Sequence, residues 1–349
     1  MARLLVAGGA GFIGSNFIRS ILQEHADWEV LNFDKLTYSG NPDNLADLEE
    51  HPHYRFRQGD IADREALESA FADFHPDHVI NFAAETHVDR SIHVGALEFI
   101  RTNVVGVYNL LEAIKASGTV KRYLQVSTDE VYGALPLERP DLKFTEESPF
   151  QPNIPYAATQ AGGDLLCRAY FQTWRVPVMV THCSNNYGPY QYPEKLIPFF
   201  VTRMLEGKSL PLYGDGRHVR DWIHVADHCR ALDLCLTRGE PGATYNIGAD
   251  NERSNLEIAR LILDHFGRDD SYLEFVGERP GHDRRYAVDA SKIRHELDWK
   301  PEREFSAALG ETIRWYREHP DWRDRVRKRT GVFNPHIDLW RAHHRSSAP

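Results

Sequence analysis

A short apolar run, Arg3 to Ala7, passes directly into Gly8-Gly9-Ala10-Gly11-Phe12-Ile13-Gly14, and the residues from Phe12 to Glu24 then carry helical spacing. No feature of the chain restricts its fold more. Glycines at these intervals let a backbone turn sharply from strand to helix and let another group approach the turn closely. The alternation begun there continues. Apolar runs at Glu29 to Phe33, Tyr54 to Gln58, His78 to Phe82, Tyr123 to Ser127 and Val178 to His182 are separated by helical stretches at Arg64 to Phe74, Ala96 to Ala116 and Tyr156 to Trp174. Such a pattern predicts an α/β fold on a Rossmann-like, doubly wound parallel sheet, with ligands beyond the carboxyl ends of the strands. After Asn185 the regularity weakens. Prolines and aromatics crowd together (NNYGPYQYPEKLIP), and longer loops separate helical segments at Ile197 to Glu206, Leu256 to Phe266 and Ser306 to His319. The expectation is a sheet domain over residues 1–184 and a smaller C-terminal α/β lobe, mainly 185–340, with some segments returning to the first domain; 341–349 form a polar tail.

With 349 residues, the chain has room for one large or two tightly joined domains. Its 41 Lys+Arg against 51 Asp+Glu give a net charge of −10, with no long basic block, which disfavours nucleic acid as a partner. Cys167, Cys183, Cys229 and Cys235 form no paired metal-type cluster and are too few for a disulfide scaffold, so a reduced, cytoplasmic setting is expected. The opening apolar stretch is interrupted by glycines and does not resemble a secretory leader, and no apolar run is long enough to span a bilayer. An acidic protein can still hold an anion where positive groups gather locally.

Gly8 to Gly14 satisfies both the GxGxxG and the GxxGxxG spacing between a strand and a helix. In that context the loop predicts a dinucleotide site, with a pyrophosphate against backbone N–H groups at the positive end of the helix. Asp34 ends the second strand, twenty residues past Gly14, where a carboxylate accepts hydrogen bonds from a ribose diol and repels a 2′-phosphate. NAD is therefore expected over NADP, with Lys35 as the opposing charge. Asp60-Ile61 and Ala83-Ala84 end later strands and are placed to border the cofactor, although the alanines are as well explained by packing.

The strand beginning at Tyr123 runs into Ser127-Thr128-Asp129-Glu130-Val131-Tyr132-Gly133, which delivers hydroxyls and two carboxylates to the ligand edge. There, separately tuned carboxyls can serve as an acid and base pair. Tyr156 begins a helix and shares a face with Gln160, four residues on. A tyrosine beside a nicotinamide ring is placed to take a hydroxyl proton as hydride leaves.

Together with FDKLTYSGN, FAAETHVDRS, PYAATQAG, CSNNYGPYQYPEKLIP, LPLYGDGRHVRDWIHVADHC, YNIGADNERSN and RPGHDRRYAVD, these motifs make the chain similar to the extended short-chain dehydrogenase/reductase family, from the first strand to about Tyr316. Within that family the Thr-Asp-Glu triplet resembles the dTDP-glucose 4,6-dehydratase branch, whose members are hydro-lyases of deoxysugar biosynthesis. The resemblance implies that Tyr156 takes the C4 hydroxyl proton while hydride passes to NAD, with Thr128 steadying that oxygen. It further implies that Glu130 removes the C5 proton, that Asp129 protonates the departing C6 hydroxyl, and that hydride returns to C6. Gly8, Gly11, Phe12, Ile13, Gly14, Asp34, Lys35, Thr37, Gly40, Asp60, Ile61, Ala83, Ala84, Ser127, Tyr156, Gln160 and Asn185 are the implied cofactor contacts. His87, Thr128, Asn186, Glu194, Lys195, Leu196, Pro211, Tyr213, Arg220, Asn255, Arg279, His282 and Tyr286 are the implied substrate contacts, with Arg220 and Arg279 as forked donors to a diphosphate. A homodimer through the helices at Ala96 to Ala116 and Tyr156 to Trp174 is also implied. The nucleotide base, thymine or uracil, is not fixed by the motifs.

One position breaks the pattern. Where the family expects Tyr-x-x-x-Lys, this chain has Gln160, which can donate hydrogen bonds to a ribose but brings no charge. Three outcomes are compatible with this: a slower dehydratase, a related sugar-nucleotide conversion such as epimerisation, or a binding protein without catalysis. The intact remainder of the motifs favours the first. His182 stands where many relatives carry arginine. No metal is expected: His224 and His228 have i, i+4 spacing but lack a third ligand and read as capping or buried residues. His51 and His53 are expected in solvent, and Trp315, Tyr316 and Trp322 in helix packing.

Overall fold

The computed structural model describes residues 2–330, so the expected tail at 341–349 lies outside the described residues. In chain order the strands are β1 (Arg3–Ala7), β2 (Glu29–Asp34), β3 (Tyr54–Gln58), β4 (His78–Asn81), β5 (Arg122–Thr128), β6 (Val178–Cys183), β7 (Asn185–Tyr187), β8 (Leu210–Tyr213), β9 (Val219–His224), β10 (Thr244–Ile247), β11 (Glu252–Ser254) and β12 (Leu273–Val276). Seven of them form one sheet in the order β10-β6-β5-β4-β1-β2-β3, with every pair parallel. Strands β1, β4, β5 and β6 are apolar on both faces because helices cover both faces. The order reverses between β1 and β4, which opens a crevice at their carboxyl ends.

One layer of the core packs Phe17, Ile18 and Ile21 of the helix Phe12–Glu24 with Leu232 and Leu236 of the helix Val225–Arg238. The opposite layer packs Leu67 and Phe71 with Leu110, Ile114, Cys167 and Tyr170. A third core, around Phe200, Leu212, Ile262, Ile313 and Tyr316, holds the small sheets β11-β9-β7 and β12-β8 in the second lobe. The chain crosses between the lobes more than once: β10, the helix Val225–Arg238 and the helix Ser291–Leu297 all pack in the first layer.

Two local expectations need correction. The stretch Ala96 to Ala116 is not one regular α-helix, because Ile100–Gly106 winds as a π-helix between Leu97–Phe99 and Val107–Ser117. A side chain at Gly106 would meet Ile61 at 2.5 Å, and the wider turn lets Asn103 reach the loop after β4. Periodicity does not register one inserted residue. His51 and His53 are half-buried, with the His53 N–H donating to His51 Nδ1 at 3.3 Å. By contrast Trp315, Tyr316 and Trp322 do pack on one another, with ring centroids 5.0 to 6.1 Å apart.

Candidate active site

At the crevice the chain leaves β1 through Gly8 with φ +76°, where a Cβ would lie 2.4 Å from the Ala83 backbone nitrogen. At Gly14 a Cβ would lie 2.5 Å from Gly8 O. Both positions are closed to any larger residue, and the alanine at 83 is held at contact distance by the loop. The helix Phe12–Glu24 has Gly11 at its cap, with no side-chain oxygen for the first N–H groups and no acid in its first turn. That end is electropositive and open to an anion. Asp34 is buried at the end of β2, and accepts the N–H of Ala10 at 2.9 Å and of Leu36 at 2.7 Å. Burial raises its pKa, while those two N–H groups and Arg329 work the other way. Lys35 is held by Asp60 at 2.8 Å, so the cation nearest Asp34 in sequence already has an acidic partner. Thr37, Gly40, Ile61 and Ala84 line the same end of the crevice.

Deeper in, a cavity of about 280 Å³ is bordered by Gly11, Phe12, Ile13, Ser127, Thr128, Asp129, Tyr156 and Gln160. A neighbouring cavity of about 190 Å³ extends between the lobes past His87, Pro211, Tyr213, Asn255, Arg279 and Tyr286. Glu130, Asn185, Glu194, Lys195 and Leu196 border both cavities, so the two meet at the Glu130 carboxylate. Glu130 is held there by the end of β5: Thr128 caps the following turn, its Oγ1 accepting the Glu130 N–H at 3.3 Å.

Asp129 is buried with its Oδ2 lacking a partner among the described residues. Burial, then the adjacent Glu130, raise its pKa well above the ordinary carboxyl value, which favours the protonated, donating form. Glu130 is also raised by burial, but Arg220, Arg279 and Lys195 pull it back toward the ionised form. The two carboxyls therefore differ in the direction an acid and base pair requires. Tyr156 opens the helix Pro155–Trp174 and is buried. Burial, Glu130 and the Cys183 thiol all oppose its ionisation, as does Asp129, whereas the Thr128 hydroxyl favours it. Gln160, one turn further on, is buried beside the same cavity.

Behind this centre runs a chain of buried polar groups in which sequence patterning singled out Ser127 and His182 but neither Asp164 nor Asn246 nor the connection between them. The Ser127 hydroxyl donates to Asp164 at 2.7 Å; His182 Nε2 lies 3.2 Å from the same carboxylate and its Nδ1 2.6 Å from the Tyr132 hydroxyl, which donates to Asn246 at 2.9 Å. Ser127 thus has its hydrogen committed and faces a cofactor only as an acceptor. Asn103, on the π-helix, accepts the Glu85 N–H at 2.9 Å and donates to Glu85 O and Thr159 Oγ1, each at 3.0 Å. It ties the loop after β4 to the helix of Tyr156 and Gln160. Its signal in sequence was only a polar residue within an apolar helix.

In the second lobe Arg220 is buried, donates to Val219 O at 2.8 Å and Asp283 O at 3.0 Å, and lies 4.2 Å from the Tyr286 ring centroid. Arg279 is steadied by Asp89 at 3.6 Å. Lys195 donates to Thr86 O at 2.9 Å. Glu194 is pushed up to about 7 by burial and lies 3.4 Å from His87. Asn185 borders the deeper cavity, where a cofactor contact is expected, and the inter-lobe one as well; Asn186, expected against the substrate, borders only the deeper cavity, and its amide is spent on Ser184 O at 3.0 Å and His228 at 2.9 Å. Thr128 borders the deeper cavity and not the inter-lobe one. His224 caps its helix, accepting the Ala226 N–H at 3.2 Å, so it and His228 serve the backbone and Asn186. Sequence spacing also could not bring together His218, Glu278 and His282, whose polar atoms lie within 4.8 Å of one another.

Comparison with known proteins gives concordant results. The family model described as GDP-mannose 4,6 dehydratase matches residues 5–312. A dTDP-glucose 4,6-dehydratase of Neisseria meningitidis serogroup B is 47% identical over 92% of this chain and 95% of its own length. The low-salt glycan biosynthesis protein Agl12 of Haloferax volcanii is 50% identical over 90% of this chain and 98% of its own. Among solved structures, the dTDP-glucose 4,6-dehydratase DesIV of Streptomyces venezuelae, crystallised with NAD, superposes with a TM-score of 0.89 at 48% identity, covering 93% of this chain and 99% of that one.

Proposed function

The chain belongs to the GDP-mannose 4,6-dehydratase family within the extended short-chain dehydrogenases/reductases, and on that premise we propose that it binds NAD and converts dTDP-glucose to dTDP-4-keto-6-deoxyglucose with loss of water. The observation that carries this reading is the position of Glu130, beside the buried acid Asp129, where the cofactor and inter-lobe cavities meet. An acid and a base at that junction suit elimination of water from a sugar lying between a nicotinamide and a diphosphate grip.

The crevice fits the cofactor: the closed glycine turn, the uncapped helix end and Asp34 would hold a pyrophosphate and a ribose diol. Bound there, NAD would supply the hydride acceptor for C4 and the hydride donor for C6. In this reading Tyr156 accepts the C4 hydroxyl proton, with Thr128 next to it steadying the oxygen. The C4 ketone acidifies C5, and Glu130, held partly ionised by Arg220, Arg279 and Lys195, removes that proton. Asp129 then protonates the leaving C6 hydroxyl. Arg220 and Arg279 hold the diphosphate, and Tyr213, Asn255, Pro211, Leu196 and Tyr286 wall the nucleoside and sugar. Among the described residues, 2–184 thus serve mainly the cofactor, and 185–330 mainly the sugar nucleotide.

The test is incubation of the NAD-loaded protein with dTDP-glucose, followed by mass spectrometry. The wild type should yield a product lighter by one water. Glu130→Gln should lower that rate by about 10²-fold or more, the scale of general acid–base catalysis, while still forming NADH in a single turnover. Intact substrate with NAD bound would refute dehydration and favour the binding-protein reading that Gln160 admits.

A second copy of the chain is the proposed occupant of the exposed apolar face formed by Leu97 and Tyr108 on one helical stretch and Leu165 and Trp174 on its neighbour. Four buried free thiols support a reducing, cytoplasmic setting, and no helix among the described residues is long and apolar enough to cross a membrane.

A further inference from the structure

His282 lines the inter-lobe cavity with Arg220 and Arg279, and its ring is stacked on that of His218, with centroids 3.6 Å apart and planes 14° from parallel. Glu278 spans the edge of the pair: Oε1 lies 2.7 Å from His282 Nδ1 and Oε2 3.3 Å from His218 Nε2. Two nearly parallel stacked rings cannot both aim an in-plane lone pair at one ion. Three arginines surround them, since Arg284 Nη1 lies 3.4 Å from His218 Nε2. A cation is thus poorly served, and the group is better understood as a carboxylate that fixes the proton of His282, with the His218 ring stacked against it.

One proton can be placed. The short contact at His282 Nδ1 puts that ring's N–H toward the Glu278 carboxylate. His218 Nε2 lies between Glu278 Oε2 at 3.3 Å and the Arg284 Nη1 donor at 3.4 Å, and His218 steadies the pair through its ring stacked on His282. His282 is then left with a lone pair on Nε2. A diphosphate offers only acceptors, so a neutral His282 in this tautomer repels it, and a protonated one donates to it.

We propose that His218 and Glu278 are positioning residues for diphosphate recognition, which lock His282 in the Nδ1–H tautomer so that nucleotide binding takes up one proton from solvent at His282 Nε2. This rests on the reading of the inter-lobe cavity as the diphosphate site. The surroundings agree. In the empty site burial, then Arg279, Arg220, His218 and Arg284, hold His282 well below the usual imidazole range, and burial with Arg220 and Arg284 holds His218 down at about 3. Other groups near the pair are Asp215, paired with Arg284, Asp89, paired with Arg279, Asp283, bonded to Tyr286, and Tyr213, whose ring meets His282 at 5.8 Å. An incoming diphosphate neutralises Arg220 and Arg279, removing the repulsion that holds the second proton off His282.

The experiment is calorimetric titration of dTDP-glucose into NAD-loaded Tyr156→Phe protein, which does not turn over, in buffers of different ionisation enthalpy from pH 6.5 to 8.5. The ligand is a diphosphate diester and does not itself titrate in this range. About one proton should be taken up per site, and Kd should rise up to about tenfold per pH unit across the window. Adding Glu278→Gln, whose amide can donate to His282 Nδ1 and leave a neutral Nε2–H, should keep binding but cut the uptake by more than half and flatten the pH profile. His218→Asn removes the ring stacked on His282 and should lower the uptake as well, by letting the imidazole leave Glu278. Binding without proton uptake overturns the proposal. So does weaker binding in Glu278→Gln at every pH with uptake unchanged, which is what a mere structural brace would give. Absence of any nucleotide binding removes the cavity assignment itself, and the proposal with it.

Discussion

Gln160 occupies the position from which a cation would act on Tyr156, one helical turn away. The consequence is electrostatic. Burial, then Glu130, hold the phenol in its neutral form, and the Thr128 hydroxyl opposes them. One pKa unit is worth about 1.4 kcal/mol, so each unit recovered multiplies the tyrosinate population about tenfold near neutrality. Gln160→Lys should therefore speed the first hydride step by about tenfold or more, measured as NADH absorbance in a single turnover. An unchanged or lower rate would mean that Gln160 does not limit the step. The family motif made this substitution legible in sequence. The groups opposing ionisation were not, because Glu130 and Asp129 approach Tyr156 only when β5 and the helix Pro155–Trp174 lie side by side.

At the scale of elements, the turn from β1 into the helix Phe12–Glu24 is the most constrained junction in the molecule. Its glycines are required for reasons of space that the motif alone does not give, since the obstructing atoms belong to Ala83, far along the chain. Gly8→Ala should cost about 1–2 kcal/mol for the left-handed backbone alone, with a further loss from the contact with Ala83. NAD affinity by calorimetry should fall more than about tenfold, and the melting temperature should drop as well; unchanged NAD binding would remove this turn from the cofactor site. The strands and helices that periodicity did place agree to within a residue or so, because it reports burial on one or both faces, whereas β7 to β12 and the helices Val225–Arg238 and Ser291–Leu297 were not placed. The π-turn at Ile100–Gly106 escaped that reading, since it is accompanied by Asn103 bonding the backbone of Glu85 and not by a change in local hydrophobicity.

In the molecule as a whole, two lobes share one cleft, and the exposed Leu97, Tyr108, Leu165 and Trp174 lie outside all three cores. If a second copy covers it, Leu165→Glu should convert a dimer into a monomer in analytical ultracentrifugation with little loss of secondary structure. A wild type that sediments as a monomer would rule the face out as an interface between copies. The net charge of −10 is offset locally, for Lys195, Arg220 and Arg279 converge near Glu130 from three separate segments. By itself the sequence determined the layered α/β fold, the glycine turn, Asp34, the Thr128-Asp129-Glu130 triplet and the departure at Gln160, because each depends on neighbours in the chain or on a motif of fixed spacing. Only the tertiary structure decided that Asn185 rather than Asn186 faces the inter-lobe cavity, that Ser127 is tied to Asp164, and that His218, Glu278 and His282 form one unit. Those depend on which side chains meet across the fold, and contact between residues some sixty positions apart leaves no periodic trace in a single sequence.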